Sequence, residues 1–478
     1  MRACCLLAAV LVVAASIAAG AQESRRAGLY GPPELLPPDG TTPLHLAVRG
    51  NDLAQARKLI QAGADVKASN RYGITPLYLA AVNGSALMIE MLLTAGADAN
   101  AAGPEGEAAL MTVARTGNVE AAKVLLARGA KVDARESWRG QTALMWAAGQ
   151  GHAPMIRLLI DAGADVNAKS AFQKWERQNT LEPREKWLPQ GVLSPLYFAT
   201  RQGCVECARI LIDAGADIRF VDQEGASLLV IALINGNYGA AALLLERGAD
   251  PNLADETGRT ALYAAVDMHT MPSSSRPAPR EVPSLDLIRS ILDKGANPNA
   301  ELLRGVPYRT KLDRGGDPVR GAGATPFLRA AKAGDVAVMR LLMERGANPK
   351  ATTRPGLNAV MLAAGLGTKE EDTTGRRKTE AEAIEAIGVA LGAGLDVNAT
   401  NTLGQTALHG AATQGFDRVV RFLAERGASL DVKDKRGFTP LDAAMGLAGG
   451  FGFDGRSGIN RESTATLIRE LQTRPATR

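Results

Sequence analysis

The chain has 478 residues with 55 Lys and Arg against 50 Asp and Glu, a net charge of +5. So small a surplus gives no footing for nucleic-acid binding, which depends on neutralising many phosphates. Aromatic residues make up only 4% of a chain that is 46% hydrophobic and rich in glycine, which suits thin, closely packed helices and argues against a wide globular core.

Arg2 precedes a run from Ala3 to Ala18 that is apolar or small, and Ala19-Gly20-Ala21 follows with small residues at the right spacing. This pattern predicts a signal peptide over residues 1–21, cut after Ala21. The alternative is an uncleaved anchor helix, although the run is short against the roughly 20 residues a bilayer requires. Cys4 and Cys5 lie inside the run and not at the cut, so lipid attachment is not expected. No long apolar run follows, and no transmembrane span is expected in the mature chain. Residues 22–38, with Pro32, Pro33, Pro37 and Pro38, read as an irregular leader.

A repeated unit then takes over, and Gly73 to Asn100 shows it most clearly. Thr75 caps a first helix that Pro76 opens, because threonine can accept free amides and proline lacks only a donor with no partner there. Gly84 ends that helix. Ala86, Ile89, Leu92 and Leu93 share one face of a second helix, which Gly96 stops in the left-handed conformation. Helices of roughly 8 to 10 residues are shorter than the 12 to 15 at which an isolated helix becomes marginal in water, so the unit must stack on neighbours.

Turn glycines recur at Gly40, Gly73, Gly106, Gly140, Gly191, Gly225, Gly258, Gly323, Gly356, Gly404 and Gly437, in uninterrupted steps of 33 or 34 residues, giving eleven units. The second helices end in a related phrase, as at Ala62 to Asp65, Ala95 to Asp98, Arg247 to Asp250 and Arg345 to Asn348. In the first unit Asn51 stands where others carry glycine, and asparagine is the next most tolerant residue of a left-handed turn. With Thr42-Pro43-Leu44-His45-Leu46-Ala47, Thr406-Ala407-Leu408-His409 and Thr439-Pro440-Leu441 heading first helices, the array closely resembles the ankyrin repeat. The resemblance implies an all-α solenoid of about eleven helix-turn-helix units with β-hairpin fingers, over residues 39–471, with 472–478 as a tail. It further implies that His45 and His409 hydrogen-bond between units.

Four insertions interrupt the period. Ala168 to Gln190 and Ala300 to Ala322 lengthen hairpins, while Met268 to Ser284 and Thr368 to Glu380 separate the two helices of a unit. The first carries Trp175 and Trp187 among Lys174, Arg177, Arg184 and Lys186. Together with Trp138 at a nearby hairpin tip they form a candidate contact surface, since Trp and Arg commonly anchor interfaces; the alternative is that each packs on its own hairpin. Trp146 aligns with Leu79 and is read as core. The second hairpin insertion mixes charges, with Tyr308, Arg309, Lys311, Asp313, Arg314 and Asp317. Met268 to Ser284, rich in Pro and Ser, reads as flexible or extended.

Cys204 and Cys207 are the cysteines that remain after cleavage. Their spacing allows a local disulfide in an oxidising compartment, or Cys207 is a small buried hydrophobe at the place of Ile89. Near the C-terminus, Gly450-Phe451-Gly452-Phe453-Asp454-Gly455 has a GxGxxG spacing, but no strand precedes it and nucleotide binding is not expected. Thr464 to Leu471 reads as a terminal capping helix.

Catalytic constellations are missing: no HxxxH or HExxH, no phosphate loop and no GxSxG elbow. The expectation is a non-enzyme with no cofactor and no metal. By the resemblance, partners are held on the concave face through hairpin tips and the exposed ends of first helices. Arg49, Arg115, Arg201, Arg329 and Lys332 fall on that helix surface as a basic line that steers an acidic partner or simply solubilises the array. The expected function is an exported, monomeric scaffold for a protein partner, in the periplasm or secreted, by likeness to exported bacterial ankyrin proteins. The alternatives are an envelope module binding an anionic polymer and a redox enzyme using Cys204 and Cys207.

Overall fold

Side-chain caps set the register of the array. Thr42, Thr75, Thr142, Ser194, Ser227, Thr260, Thr325, Asn358 and Thr439 each accept the backbone N–H three residues on, at the start of a first helix. Such a cap satisfies an amide that the helix itself leaves open. The computed structural model describes residues 39–173, 190–271, 282–306, 317–368, 378–448 and 460–473. The signal-peptide and leader regions, Trp175, Trp187, Tyr308, Arg309, Lys311, Asp313, Arg314 and the GxGxxG stretch lie outside them.

Within the described residues the fold is an all-helical solenoid of stacked two-helix units. First helices run from Pro43–Arg49 to Pro440–Ala444, and second helices from Leu53–Gln61 to Glu462–Thr473. Each first helix packs on the first helix of the next unit, and second helices stack beside them. Leu44, Leu77, Leu144 and Leu196 from the first layer meet Ile89, Leu125 and Ile156 from the second in one continuous buried core. No helix among the described residues is long and apolar enough to cross a membrane.

The fingers differ from the expected β-hairpins. Among the described residues only isolated bridges occur, between Ala102 and Ala108, Phe172 and Gly191, and Val221 and Ser227; the uninterrupted fingers are too short to sustain a strand ladder. All eleven turn glycines have positive φ, and Asn51 shares that conformation at φ 53°. Single backbone bonds close individual fingers, as in Asn70 N to Ile74 O (3.1 Å) and Asp434 N to Phe438 O (2.8 Å), and further bonds join one finger to the next. The carbonyl before a turn glycine accepts an amide of the next finger, as in Arg71 N to Asp39 O (2.8 Å), Ser137 N to Glu105 O (2.8 Å), Glu256 N to Glu224 O (2.9 Å) and Lys435 N to Leu403 O (2.9 Å). At Tyr72 the incoming residue is Pro104, which has no N–H to give.

A second seam joins the ends of second helices. Asn100 donates to Gly129 O (2.9 Å) and accepts from Lys131 N (2.7 Å). Asn167, Asn252, Asn299 and Asn398 make the same pair of bonds to the following unit. Histidines form a third seam. His45 Nδ1 accepts the Thr42 N–H (3.1 Å), which leaves Nε2 to donate to Ile74 O in the next unit (3.0 Å). His409 repeats the arrangement with Thr406 and Phe438, and burial lowers its pKa, in keeping with a neutral ring.

Two element boundaries differ from expectation. The helix Ala261–His269 continues through the first residues of the expected extended segment, and His269 lies against Ser284 (2.6 Å) and Asp335 (2.9 Å). The terminal helix is longer than expected, spanning Glu462–Thr473.

Candidate partner-binding surface

Six fingers are each closed by one side-chain acceptor placed ahead of the tip. Asn70 Oδ1 takes the amides of Tyr72 (3.0 Å) and Ile74 (3.1 Å), and Asn401 those of Leu403 and Gln405 (both 2.9 Å). In the fourth unit the buried Glu136 carboxylate accepts from Trp138, Arg139 and Gln141 at 2.6 to 2.9 Å. Asp222, Asp255 and Asp434 do the same in later fingers. These bonds fix the backbone of the very residues that point outward, so little freedom remains to be lost on contact.

Most large apolar side chains that are exposed among the described residues sit on these fingers: Tyr72, Trp138, Phe172, Val221, Leu303 and Leu403. Trp138 is 40% exposed and Tyr72 53%. Their neighbours stiffen them further, with the Arg139 guanidinium 4.1 Å above the Trp138 ring and that of Arg71 4.7 Å from Tyr72. The result is a row of apolar tips on a hydrogen-bonded rail.

The basic residues chosen from sequence separate into two groups. Arg49 and Arg201 are exposed. Arg115 is half-buried, 3.4 Å from Glu107 and 5.7 Å from the Trp146 ring. Glu107 also accepts from Thr112 (3.0 Å) and the Tyr78 hydroxyl (3.4 Å), and burial beside this carboxylate pushes the tyrosine pKa up to about 12. Trp146 packs against the core as expected, but is only partly buried, with the Arg115 guanidinium over its ring.

Arg329 and Lys332 correct the sequence reading. Neither presents its charge to solvent: Arg329 is 0% exposed, paired with Asp267 (2.9 Å) and Asp317 (3.4 Å), and Lys332 is buried 2.9 Å from Asp317. Asp317 belongs to the returning limb of the second hairpin insertion, and sequence spacing gives no sign that this limb folds onto the helix Pro326–Ala333.

Cys204 and Cys207 are joined as a disulfide, S–S 2.03 Å. Cys204 is also the N-cap of the helix Val205–Asp213, its sulfur accepting the Cys207 amide at 3.2 Å, and Cys207 is buried in the core. Among the described residues no group of His, Cys, Asp and Glu is placed to hold a metal ion.

In the finger of the sixth unit, burial raises the Glu224 pKa to about 7, with Asp222 and Glu256 adding repulsion. Sequence reasoning missed this carboxylate and the asparagine seam. The seam's signal was the Asp-x-Asn spacing at Asp98/Asn100, Asp165/Asn167 and Asp396/Asn398.

Comparison with known proteins places repeats throughout the chain. A family described as ankyrin repeats (3 copies) matches residues 28–103, 88–170 and 196–302. Ankyrin repeats (many copies) match 389–444, and a single ankyrin repeat matches 322–354. The chain is 37% identical over 106 residues to the ankyrin repeat and KH domain-containing protein mask of Drosophila melanogaster, covering 22% of this chain and 2% of that protein. Over 268 residues it is 26% identical to palmitoyltransferase ZDHHC13 of Homo sapiens, covering 52% and 33%. The chain thus spans a third or less of the length of these curated relatives. Among solved structures it is similar to the human ASB11 ankyrin repeat domain (TM-score 0.42, 22% identity, 54% of this chain and 99% of that one). It is also similar to the ankyrin repeat domain of Bcl-3 (TM-score 0.40, 24% identity, 52% and 99%).

Proposed function

The chain belongs to the ankyrin repeat family, and from that premise we propose that it is a non-catalytic scaffold holding a protein partner along its finger tips and concave groove. The observation that carries this reading is the concentration of exposed apolar side chains on the tips, with their backbones held by Asn70, Glu136 and Asn401. A rigid aromatic or apolar anchor contributes large contact area at small entropic cost. The comparison with a palmitoyltransferase runs through repeats and lends no catalytic residue.

Export is part of the same proposal. Its support is the apolar run from Ala3 to Ala18 and the Cys204–Cys207 disulfide, a bond that persists in oxidising compartments. N-terminal sequencing of the chain recovered from outside the cytoplasm tests it: a start at Gln22 supports export, and an intact Met1 on a cytoplasmic chain overturns it. The anionic-polymer alternative loses two of its five cations to buried pairing.

The docking test replaces Tyr72, Trp138 and Leu403 together by alanine. Because these side chains are exposed, thermal stability stays close to that of the wild type. A partner captured and identified with the full chain should bind the variant at least tenfold more weakly. Undiminished binding would remove the tips from the account.

A further inference from the structure

The groove is not equally open along the array. Arg49 and Arg201 stand seven residues after their N-caps Thr42 and Ser194, and both are exposed. Asp267 and Lys332 stand seven residues after Thr260 and Thr325, and both are buried. Four residues after the cap Leu46 is 47% exposed and Arg329 is 0%, a position that the small Thr112 also buries in the third unit. Every residue of Pro326–Ala333 is buried, as is every residue of Ala261–His269 except the last. A helix enclosed on all sides has something lying on its groove face.

What lies there is the chain itself. Asp317 opens the short turn Pro318–Arg320, accepting the Val319 amide at 3.0 Å. Its carboxylate reaches Lys332 (2.9 Å) and Arg329 (3.4 Å), while Arg329 also binds Asp267 on the neighbouring first helix (2.9 Å). Val319 is wholly buried, and its carbonyl accepts the Tyr263 hydroxyl. Arg320 O accepts the Val306 amide (3.0 Å), which ties the two limbs of the excursion together. One acidic side chain, one apolar side chain and one backbone carbonyl are thus seated across two repeats.

We propose that Asp317–Arg320 is a resident ligand of the array's own groove, which closes the seventh and eighth units and leaves the groove of units one to five for the partner. The resident segment also shows the kind of partner that fits: a short turn offering a carboxylate to a cation seven residues past a cap, with an apolar side chain beside it. Arg49 with Leu46, and Arg201 with Phe198, present that pairing unoccupied by the insertion. Charge complementarity between these arginines and an acidic segment fixes its register. This second half rests on the scaffold reading; the closure does not.

Acylation of lysines in the intact chain, read by mass spectrometry, tests the closure without any partner. Lys332 should react at least tenfold more slowly than the exposed Lys67. In a Val319→Ala, Asp317→Asn variant whose circular dichroism matches the wild type, Lys332 should speed up while Lys67 stays constant. Equal rates for Lys332 and Lys67 in the wild type would overturn the closure. For the partner, Arg49→Glu with Arg201→Glu should lower affinity at least tenfold, and unchanged affinity would overturn the acidic class. Failure to find any partner would count against the scaffold reading alone, and Lys332 would still decide the closure.

Discussion

Asn299→Ala cuts the asparagine seam where it has most to hold. Asn299 donates to Gly346 O at 2.9 Å and accepts from Asn348 N at 2.6 Å, and the second hairpin insertion lies between these partners in sequence. Each hydrogen bond contributes a net ~0.5–1.5 kcal/mol, and at an exposed site water replaces part of what is lost. Two bonds therefore place the cost at about 1–2 kcal/mol. The geometry at Asn100 is nearly the same, at 2.9 and 2.7 Å, so Asn100→Ala should cost a similar amount although no insertion separates its units. Being far apart, the two losses should add in the double variant. Urea unfolding followed by circular dichroism measures all three, and amide exchange should show Asn348 losing protection in the first. A change below about 0.3 kcal/mol in both single variants would show that these bonds only decorate the stack and refute the reasoning.

Other perturbations read other parts of the structure. Arg329→Met strips the buried Asp267 of its 2.9 Å partner and should cost ~3–5 kcal/mol, with Asp267→Leu recovering most of it in the double variant; equal stabilities by urea titration would contradict the pairing. Gly323 and Gly346 both have positive φ, but an added Cβ would lie 2.8 Å from Arg354 N only at Gly323. Thermal unfolding should show about 1–2 kcal/mol lost in Gly346→Ala from conformation alone and more in Gly323→Ala. Because the Glu224 pKa rises from its ordinary 4.5 to about 7, the unfolded chain ionises first and stability should fall as pH climbs through that window. Glu224→Gln should therefore raise the melting temperature at pH 8 and leave it unchanged at pH 4.

The repeat register was legible because it rests on local chemistry. Turn glycines, Thr and Ser caps and the Thr-Pro dipeptides each act within a few residues of themselves, so the order of letters exposes them. Asn51 in a left-handed turn and Cys207 in the core follow from the same reasoning. The groove was less legible, since its state depends on partners remote in sequence. Arg329 and Lys332 occupy the right helical positions, yet Asp317 and Asp267 decide that they are buried, and only the folded insertion reveals it. The alignment of Trp146 with Leu79 makes it a core residue, and the ring does pack against the core, but it stays partly open and Arg115 lies over one face of it, a contact that sequence spacing does not reveal. The asparagine seam leaves a visible Asp-x-Asn spacing, but its partners lie in the next unit, so the spacing alone does not show the bonds.

The central claim is that short helical pairs, unstable alone, are ordered by the units on either side. Leu125→Ala tests it most directly, since Leu125 is wholly buried in the second helix Val119–Ala127 and its loss should cost ~2–5 kcal/mol. Amide exchange along the whole chain should show protection lost most in the third unit, less in the second and fourth, and not at all in the ninth to eleventh. An equal loss of protection from Pro43–Arg49 to Glu462–Thr473 would mean one global core and would contradict the account.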